Sequence, residues 1–248
     1  MEWRIINLES NNAFMNMAID EAIFESVRDG NCSPTIRFYT WDPSSVSIGR
    51  FQSMRDELNT SKCKELGINC VRRITGGGAV YHDKKGEITY SVIAPEETFP
   101  VGIRETYECI CGWVIGGLAS LGINAQFAPI NDIVVNGKKI SGNAQTRKQG
   151  VVLQHGTVLY DLDISTMFSV LNISKEKISD KMIKSVEERV TKVLDFANAS
   201  QEELYSALLE GFTKGKKCRF SSLTHAEIAR ANELARDLYS TEEWNFSR

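Results

Sequence analysis

The chain has 248 residues, of which 42% are apolar and 25% charged, with a formal net charge of -3 and a pI near 5.8. This length and composition are those of one large globular domain with a sizeable core. The slightly acidic balance argues against a protein built to bind nucleic acid, which usually has a basic domain. No apolar run approaches the roughly eighteen residues needed to cross a bilayer. The amino terminus lacks a signal pattern, so we expect a cytoplasmic protein.

The spacing of the cysteines and histidines argues against a disulfide-stabilised fold and against a zinc site. Six cysteines are scattered along the chain without a C-x-x-C pair, and there are three histidines. This pattern fits neither a disulfide framework nor a zinc site. Cys109 and Cys111 lie in an apolar stretch, where we expect buried thiols.

The first quarter of the chain predicts one helix and two strands. Apolar residues recur at helical spacing over residues 12–28, with an asparagine available as the N-cap. Residues 35–41 alternate as in a strand, and residues 46–50 form a second short strand. The turn-forming residues 42–45 between them favour a hairpin. A short helix is predicted near residues 54–66.

The middle of the chain predicts a long helix between strands. Residues 87–91 are strand-like, and residues 105–121 form an apolar helix whose glycines at 112, 116 and 117 are expected to permit close packing. Residues 133–140 form a strand, an Asn-Gly turn and a returning strand. Residues 151–159 form a further β-rich run.

Helices dominate the last third. They are predicted over residues 164–170, 179–189 and 201–212, and a capping box at Ser200 and Glu203 begins the third of these. A second capping box begins a last helix that ends at Tyr239. We therefore predict a single α/β domain of the α+β type, with a mixed, largely antiparallel sheet flanked by helices.

The segment 71–91 is the most unusual stretch of the chain. Arg72 and Arg73 precede a hydroxyl and three consecutive glycines, and a β-prone run follows. Consecutive glycines are favoured where a backbone must approach a ligand closely, often a phosphate. Guanidinium groups suit a phosphate or a carboxylate. A glycine hairpin with two solvated arginines explains this stretch equally well.

A second candidate site follows the Asn-Gly turn. Lys138 and Lys139 are adjacent in the returning strand, so they point to opposite faces of the sheet. A lysine on the inner face beside Ser141 and Gly142 could bind an anion. The alternative, a solvated turn with two lysines, is the commoner situation in proteins.

Several familiar catalytic patterns are missing. There is no G-x-x-x-x-G-K-[ST], Tyr81 stands where the dinucleotide fingerprint needs its third glycine, and no G-x-S-x-G surrounds a serine. His82 and His155 are weak candidates by themselves, because a lone histidine is more often a hydrogen-bonded core residue than a base.

Five blocks stand in a suggestive order and spacing along the chain. They are Val-Ser-Ile-Gly-Arg-Phe-Gln at 46–52, Arg-Arg-Ile-Thr-Gly-Gly-Gly-Ala-Val-Tyr-His-Asp at 72–83, Asn-Asp at 131–132, Lys-Ile-Ser-Gly-Asn-Ala at 139–144 and His-Gly-Thr at 155–157. With residues 185–190 and the Trp-Asn-Phe at 244–246, they resemble the lipoate–protein ligase A family within the biotin/lipoate ligase superfamily. The resemblance covers nearly the whole chain.

This resemblance implies a fold related to the catalytic domain of class II aminoacyl-tRNA synthetases. It also implies a ligase that uses ATP and Mg²⁺ to activate lipoate as lipoyl-AMP. The lipoyl group then passes to a specific lysine of a lipoyl-carrier domain, in 2-oxoacid dehydrogenase subunits or the glycine-cleavage H protein.

The resemblance assigns roles residue by residue. Lys139 is implied as the catalytic lysine that touches both the acyl carboxylate and the phosphate, and Asp132 as a magnesium ligand. The residues implied to bind the adenylate or ATP are Arg72, Arg73, Thr75, Gly76, Gly77, Gly78, Ala79, Val80, Tyr81, Asn131, Asp132 and Lys139. Those implied to bind lipoate are Gly77, His82, Lys139, Ser141, Gly142, His155 and Gly156.

Two departures from the family pattern shape the expected partners. Single-chain ligases continue past the Trp-Asn-Phe segment into an accessory domain, so residues 1–248 would be the catalytic domain alone and a separate accessory-domain protein its partner. Related octanoyltransferases use a cysteine upstream of the lysine motif, whereas residues 112–217 contain none. This absence favours the ligase. A transferase that takes its acyl group from an acyl-carrier protein or another lipoyl protein is the first alternative to it. A non-catalytic carrier-binding protein is a second one.

Overall fold

An eight-stranded sheet lies at the centre of the computed structural model, which describes residues 1–172 and 189–248. The pairs β11–β1 and β1–β2 are parallel, and the other five pairs are antiparallel. The predicted mixed, largely antiparallel sheet is thus confirmed. Its strands, in spatial order, are β11 (Lys217–Phe220), β1 (Glu2–Asn11), β2 (Thr35–Trp41), β6 (Glu87–Pro95), β10 (Val151–Leu159), β9 (Lys138–Lys148), β8 (Asp132–Val135) and β7 (Gln126–Ala128).

A second sheet of three strands carries the glycine-rich segment. It consists of β3 (Ser45–Ile48) between β4 (Asn69–Arg72) and β5 (Val80–His82). The predicted hairpin between residues 35–41 and 46–50 is therefore wrong. The chain leaves the large sheet after β2, and β3 pairs parallel with β4 and antiparallel with β5.

The helices begin at the caps that the sequence predicts. The Asn12 side chain accepts the Met15 N–H at the start of the first helix, and both predicted capping boxes form. Among the described helices, none is long and apolar enough to cross a membrane. They are α1 (Ala13–Arg28), α2 (Met54–Glu57), α3 (Thr60–Glu65), α4 (Ile103–Ser120), α5 (Ile164–Val170), α6 (Gln201–Thr213), α7 (His225–Leu234), which continues as a π-helical turn (Ala235–Tyr239), and α8 (Glu242–Asn245).

The two faces of the large sheet differ in character. Alternate residues of the central strand β6, such as Ile88 and Val92, pack into an apolar core beneath α4 and α6. The opposite face lies against α1, and there Ser91 donates a hydrogen bond to Asp20 of that helix. Strand alternation therefore divides a largely apolar face, whose polar groups include Tyr90 and Gln154, from one that holds buried charged groups.

Several elements differ from the expectation. The single helix predicted over residues 54–66 is two short helices, α2 and α3. Strands β1, β4, β7 and β11 were not expected, because their short or irregular apolar patterns are completed only by pairing. The helix predicted over 179–189 and most of the 185–190 block lie outside the described residues.

The glycines of α4 differ in what surrounds them. A Cβ at Gly117 would stand 2.6 Å from the Ala207 carbonyl oxygen and 2.9 Å from the Leu208 Cα of α6. A Cβ at Gly116 or Gly112 would meet nothing within 4 Å. Of these three glycines of α4, only Gly117 is thus needed for close packing against α6, where Gly211 faces it.

This difference predicts opposite effects of two adjacent substitutions. Gly116→Ala should raise the free energy of unfolding by up to about 1 kcal/mol through helix propensity. Gly117→Ala should lower it by about 1–3 kcal/mol, because the new methyl group pushes α4 away from α6. Urea denaturation followed by circular dichroism measures both. Equal stability of the two variants would contradict the packing argument.

Candidate active site

A cavity of about 140 Å³ opens between the large sheet, α1 and the glycine-rich segment. Its wall combines aromatic and apolar side chains with two cations and two histidines. The lining residues are Met17, Tyr39, Trp41, Ser47, Arg73, Gly77, Gly78, Ala79, Val80, His82, Thr89, Asn131, Lys139, Gly142, Asn143, Ala144, His155, Gly156 and Thr157.

Arg73 organises the glycine-rich segment from inside. Its Nη2 donates to the carbonyl oxygens of Gly76 and Gly78, at 2.7 and 2.8 Å. Its Nε donates to Thr75 Oγ1 at 3.1 Å, and its Nη1 donates to the Ser47 carbonyl and to Ser47 Oγ at 3.2 and 3.1 Å. Burial lowers the pKa of Arg73 to about 10. The segment is therefore wrapped around its own arginine.

Each of the two hydroxyls that bind Arg73 also meets a histidine. Ser47 Oγ lies 2.8 Å from His82 Nε2, and Thr75 Oγ1 lies 2.7 Å from His155 Nε2. The other ring nitrogen of each histidine faces a carboxylate. His82 Nδ1 is 2.8 Å from Glu87 Oε1.

The second histidine is held less tightly by its carboxylate. His155 Nδ1 lies 3.5 Å from Asp20 Oδ2, and Asp20 Oδ1 accepts from Arg37 Nη1 at 2.9 Å. Burial lowers the pKa of His155, although Asp20 opposes that shift. For Asp20, burial alone would raise the pKa, but His155 and Arg37 hold it below its ordinary value. At neutral pH this pair is a carboxylate beside a neutral imidazole.

Lys139 reaches the cavity from the start of β9. Its backbone N–H donates to the Arg189 carbonyl, and its own carbonyl accepts from the Thr191 N–H, both at 2.8 Å. Its Nζ forms an ion pair with Asp132 Oδ1 at 2.7 Å. A Cβ at Gly142 would lie 2.7 Å from Lys139 Nζ, so only a glycine there leaves the ammonium group in place.

A pair of asparagines fixes the far wall. Asn143 Oδ1 accepts from Tyr90 Oη at 2.5 Å, and Asn143 Nδ2 donates to the Asn131 carbonyl at 2.9 Å. The Asn131 amide donates back to the Asn143 carbonyl. This reciprocal pairing ties the loop before β8 to the middle of β9.

The structure brings most of the sequence-predicted site residues to the cavity. Six of them do not line it, and Arg72 is the clearest case. Its guanidinium donates to the main-chain carbonyls of residues 49, 50, 52, 244 and 245, so it joins the carboxy-terminal segment to the β3–α2 connection. The predicted residues outside the lining are Arg72, Thr75, Gly76, Tyr81, Asp132 and Ser141.

The donors present do not fit a resident magnesium ion. Asp132 is already paired with the Lys139 ammonium group. Within residues 1–172 and 189–248, no three acidic, histidine or cysteine side chains are grouped so that they could hold a metal. A magnesium ion that arrives with a nucleotide needs only one or two carboxylates besides the phosphate oxygens, so the magnesium role of Asp132 stays a prediction.

None of the six cysteines is among the lining residues. Cys111 lies on α4 beneath the sheet and is fully buried, and burial raises the pKa of its thiol to about 12. Burial also raises the pKa of Cys109. At both positions burial favours the neutral thiol over the thiolate, and neither thiol lines the cavity.

Sequence reasoning missed three residues that the site depends on. Ser47 and Glu87 lie on strands with ordinary patterns, and Asp20 lies on α1 among apolar neighbours. Their spacing along the chain gives no sign that they meet histidines. The available signal is the placement of carboxylates at otherwise apolar positions of a predicted helix and strand.

Comparison with known proteins places the chain clearly. Residues 12–213 match the family described as lipoyl protein ligase A/B catalytic domain. The Octanoyltransferase LipM of Brevibacillus brevis is 37% identical, with 100% of this chain and 99% of that protein covered. Seven further proteins of that name are 34–36% identical over 98–99% of this chain.

Solved structures agree on the fold. A bipartite lipoate protein ligase from Thermoplasma acidophilum, described with its E2 lipoyl domain, matches with a TM-score of 0.88 and 35% identity. The match covers 99% of this chain and 96% of that one. A putative lipoate protein ligase from the same organism, with bound lipoic acid, matches with a TM-score of 0.84 and 34% identity over 99% and 100% of the two chains.

The relatives correct the predicted reaction. The prediction that this chain activates lipoate with ATP is wrong on this comparison, because the curated relatives that match from end to end are named octanoyltransferases. That prediction rested on the ordered blocks shared with the lipoate–protein ligase A family, and the missing cysteine argued only against the transferase alternative. The expected roles of ATP and Mg²⁺ depended on the same prediction.

The His155 environment predicts a pH dependence of stability. Because its pKa is lowered on folding from an ordinary 6.5, the unfolded chain binds the proton more readily. The free energy of unfolding should therefore fall as the pH drops below about 6.5, by up to about 1.4 kcal/mol per pH unit from this group. Denaturant titrations between pH 7.5 and pH 5 measure this slope.

A matched pair of variants isolates the contribution of His155 to the pH dependence of the free energy of unfolding. His155→Asn should lose part of the slope, whereas His225→Asn, at an exposed position in the first turn of α7, should keep it. An unchanged slope in His155→Asn would contradict the assignment.

Proposed function

Since the chain belongs to the lipoyl protein ligase A/B catalytic domain family, an enzyme family of lipoate ligases and transferases, we propose that it is an octanoyltransferase. It takes the octanoyl group from the thioester of an acyl-carrier protein and transfers it to a lysine of a lipoyl domain. The observation that carries this proposal is the end-to-end similarity to octanoyltransferases.

The cavity has the chemistry that such a transfer needs. Tyr39, Trp41 and Met17 offer an apolar wall for an alkyl chain, and Arg73 and Lys139 bring two cations to the same cavity. Among the described residues, no carboxylate forms an ion pair with Arg73, so its buried charge is uncompensated. Such a charge favours a ligand oxygen that becomes negative as the thioester carbonyl is attacked.

Octanoyl transfer from a thioester is a balanced reaction that consumes no nucleotide. The lysine amine of the acceptor ends bonded to the octanoyl carbon, the C–S bond to the carrier breaks, and the carrier leaves as a thiol. The amine proton ends on that thiol or in solvent. Because the thioester is already activated, no adenylate is formed.

A structural relative supports a lipoyl domain as the acceptor. The Thermoplasma acidophilum ligase is described together with its E2 lipoyl domain. We infer that the acceptor here is a lipoyl domain of the same kind, as in 2-oxoacid dehydrogenase subunits or the glycine-cleavage H protein. The separate accessory-domain protein stays a prediction.

The function is tested with an apo lipoyl domain and octanoyl-acyl-carrier protein, without nucleotide. Mass spectrometry should show the acceptor gaining one octanoyl group, and an acceptor whose target lysine is replaced by arginine should gain none. A parallel reaction supplies free octanoate or lipoate with ATP and Mg²⁺, with and without a candidate accessory protein. Acylation that occurs only in the ATP reaction would overturn the proposal.

Gly142→Ala should lower transferase activity without unfolding the protein. The added methyl group displaces the flexible end of Lys139, which costs little stability but moves the ammonium group from the cavity. We expect kcat to fall at least about 10-fold, by analogy with the loss of one electrostatic contact, and Tm to change little. Gly150→Ala is not a suitable control because its φ is +75°. Gly112→Ala on the far face of the sheet, with open space around it, should retain activity.

A further inference from the structure

We propose that an exposed group of arginine and phenylalanine side chains beside the glycine-rich segment is the docking surface for the carrier protein that donates the octanoyl group. This group, the arginine patch, consists of Arg50, Phe51, Arg55, Phe246 and Arg248, all of them exposed. The inference rests on the proposed function, because it names the surface that receives the donor of that same transfer.

Two segments that are distant in the chain form the patch, and Arg72 holds them together. Its guanidinium donates to the carbonyls of residues 50 and 52 in one segment and of residues 244 and 245 in the other. In return, Asn245 Oδ1 accepts from the Arg72 N–H at 2.7 Å, and Trp244 Nε1 donates to the Arg72 carbonyl at 2.8 Å. The surface is therefore built in advance, which lowers the entropy cost of binding a partner.

Each arginine of the patch lies over an aromatic ring. The pairs are Arg50 on Trp244, Arg55 on Phe246 and Arg248 on Phe51, with the guanidinium carbon 4.2, 5.8 and 5.5 Å from the ring centroid. Phe51 is 70% exposed although its side chain is large and apolar. Arginine and aromatic side chains are the types most enriched in protein–protein interfaces, so this composition is typical of a docking surface.

The positive charges of the patch are uncompensated within the described part of the chain. Among those residues, no aspartate or glutamate forms an ion pair with Arg50, Arg55 or Arg248. By contrast, four arginines exposed elsewhere each pair with a carboxylate at 2.7–3.6 Å, at positions 28, 104, 219 and 236. Burial lowers the pKa of Arg72, and the charges of Arg50 and Arg248 lower it further. The patch is thus a local excess of positive charge on a chain whose net charge is -3.

The patch adjoins the cavity through the glycine-rich segment. The Arg50 N–H donates to the Thr75 carbonyl at 2.8 Å. A Cβ at Gly49 would stand 2.1 Å from the Gly77 carbonyl oxygen, and Gly77 lines the cavity. A partner bound at the patch therefore lies next to the segment that forms one wall of the cavity.

The carrier that donates the acyl group has the chemistry that this surface fits. A carrier protein holds its acyl group as a thioester at the end of a flexible phosphopantetheine arm, and a phosphodiester joins that arm to the protein. The arm can enter a cavity while the carrier stays outside. Guanidinium groups bind phosphate oxygens through paired N–H donors, and an acidic carrier surface adds long-range attraction. The acceptor instead presents a lysine, whose ammonium form the arginines repel, so we assign the patch to the donor.

Binding of the donor is measured first, without turnover. Fluorescence anisotropy gives the Kd of a labelled octanoyl-acyl-carrier protein in which an amide replaces the thioester. The Kd of the wild-type protein should rise with added KCl, because salt screens exposed charges. The double variant Arg50→Glu, Arg55→Glu should raise the Kd about 10-fold or more and weaken its salt dependence. An unchanged Tm shows that this variant is folded.

Two control variants separate the charge of the patch from other effects. Lys214→Glu reverses an exposed charge at the end of α6, on the face of the large sheet opposite α1, and should leave the Kd unchanged. Arg50→Lys keeps the positive charge and should retain most of the carrier affinity that Arg50→Glu loses.

Steady-state kinetics separates docking from the transfer itself. In the double variant, the KM for octanoyl-acyl-carrier protein should rise about 10-fold or more, whereas the KM for the apo lipoyl domain should stay the same. Octanoyl-N-acetylcysteamine is a thioester without a phosphate or a carrier, and it should be used equally well by the wild-type protein and the double variant. Octanoyl-phosphopantetheine measures how much of the effect comes from the phosphate group alone.

The outcomes distinguish this inference from the proposed function. If octanoyl transfer proceeds and the double variant binds the carrier as tightly as the wild-type protein does, the inference is wrong and the proposed function stands. A rise in the KM for the lipoyl domain alone would assign the patch to the acceptor and would also overturn the inference. If the wild-type protein shows no transfer, the proposed function fails. In that case, a carrier Kd that responds neither to salt nor to the double variant overturns the inference as well.

Discussion

The buried guanidinium of Arg73 is the interaction on which the site depends. An arginine that is only 4% exposed must have its donors satisfied, because a buried cation without hydrogen bonds is very costly. Here the acceptors are two carbonyls of the glycine-rich segment, two hydroxyls and the Ser47 carbonyl. One side chain therefore sets the shape of the segment and the positions of both hydroxyls that face histidines.

The two adjacent arginines show how strand geometry assigns different tasks to the same residue type. Arg72 is the last residue of β4 and points away from the cavity, where it holds the carbonyls of the carboxy-terminal segment. Arg73 points the other way, towards the glycine-rich segment and the cavity. Alternation along an extended chain is enough to separate a cation that joins two segments from one that lines the cavity.

The glycines of the site matter because a side chain at these positions would collide with neighbouring atoms. A side chain at Gly49 would meet the Gly77 carbonyl, one at Gly142 would displace Lys139, and one at Gly156 would meet Asn143. In each case the missing side chain lets a backbone or a polar group approach the cavity closely. The same physical reason underlies Gly117, where the partner is a helix instead of a site residue.

The sequence by itself determined where several helices begin and where a hairpin turns, and it marked the glycine-rich segment as unusual. Asn12 and Ser200 cap helices, and Asn136-Gly137 turns a hairpin, because these signals act over a few residues. Lys139, Arg73 and His82 could be recognised from their motifs. Only the tertiary structure decided that β3 leaves β2 for a second sheet, that Arg72 faces away from the cavity, and that Glu87 and Asp20 each meet a histidine. Those outcomes depend on pairing and burial between residues far apart in the chain, which a pattern of neighbouring residues does not encode.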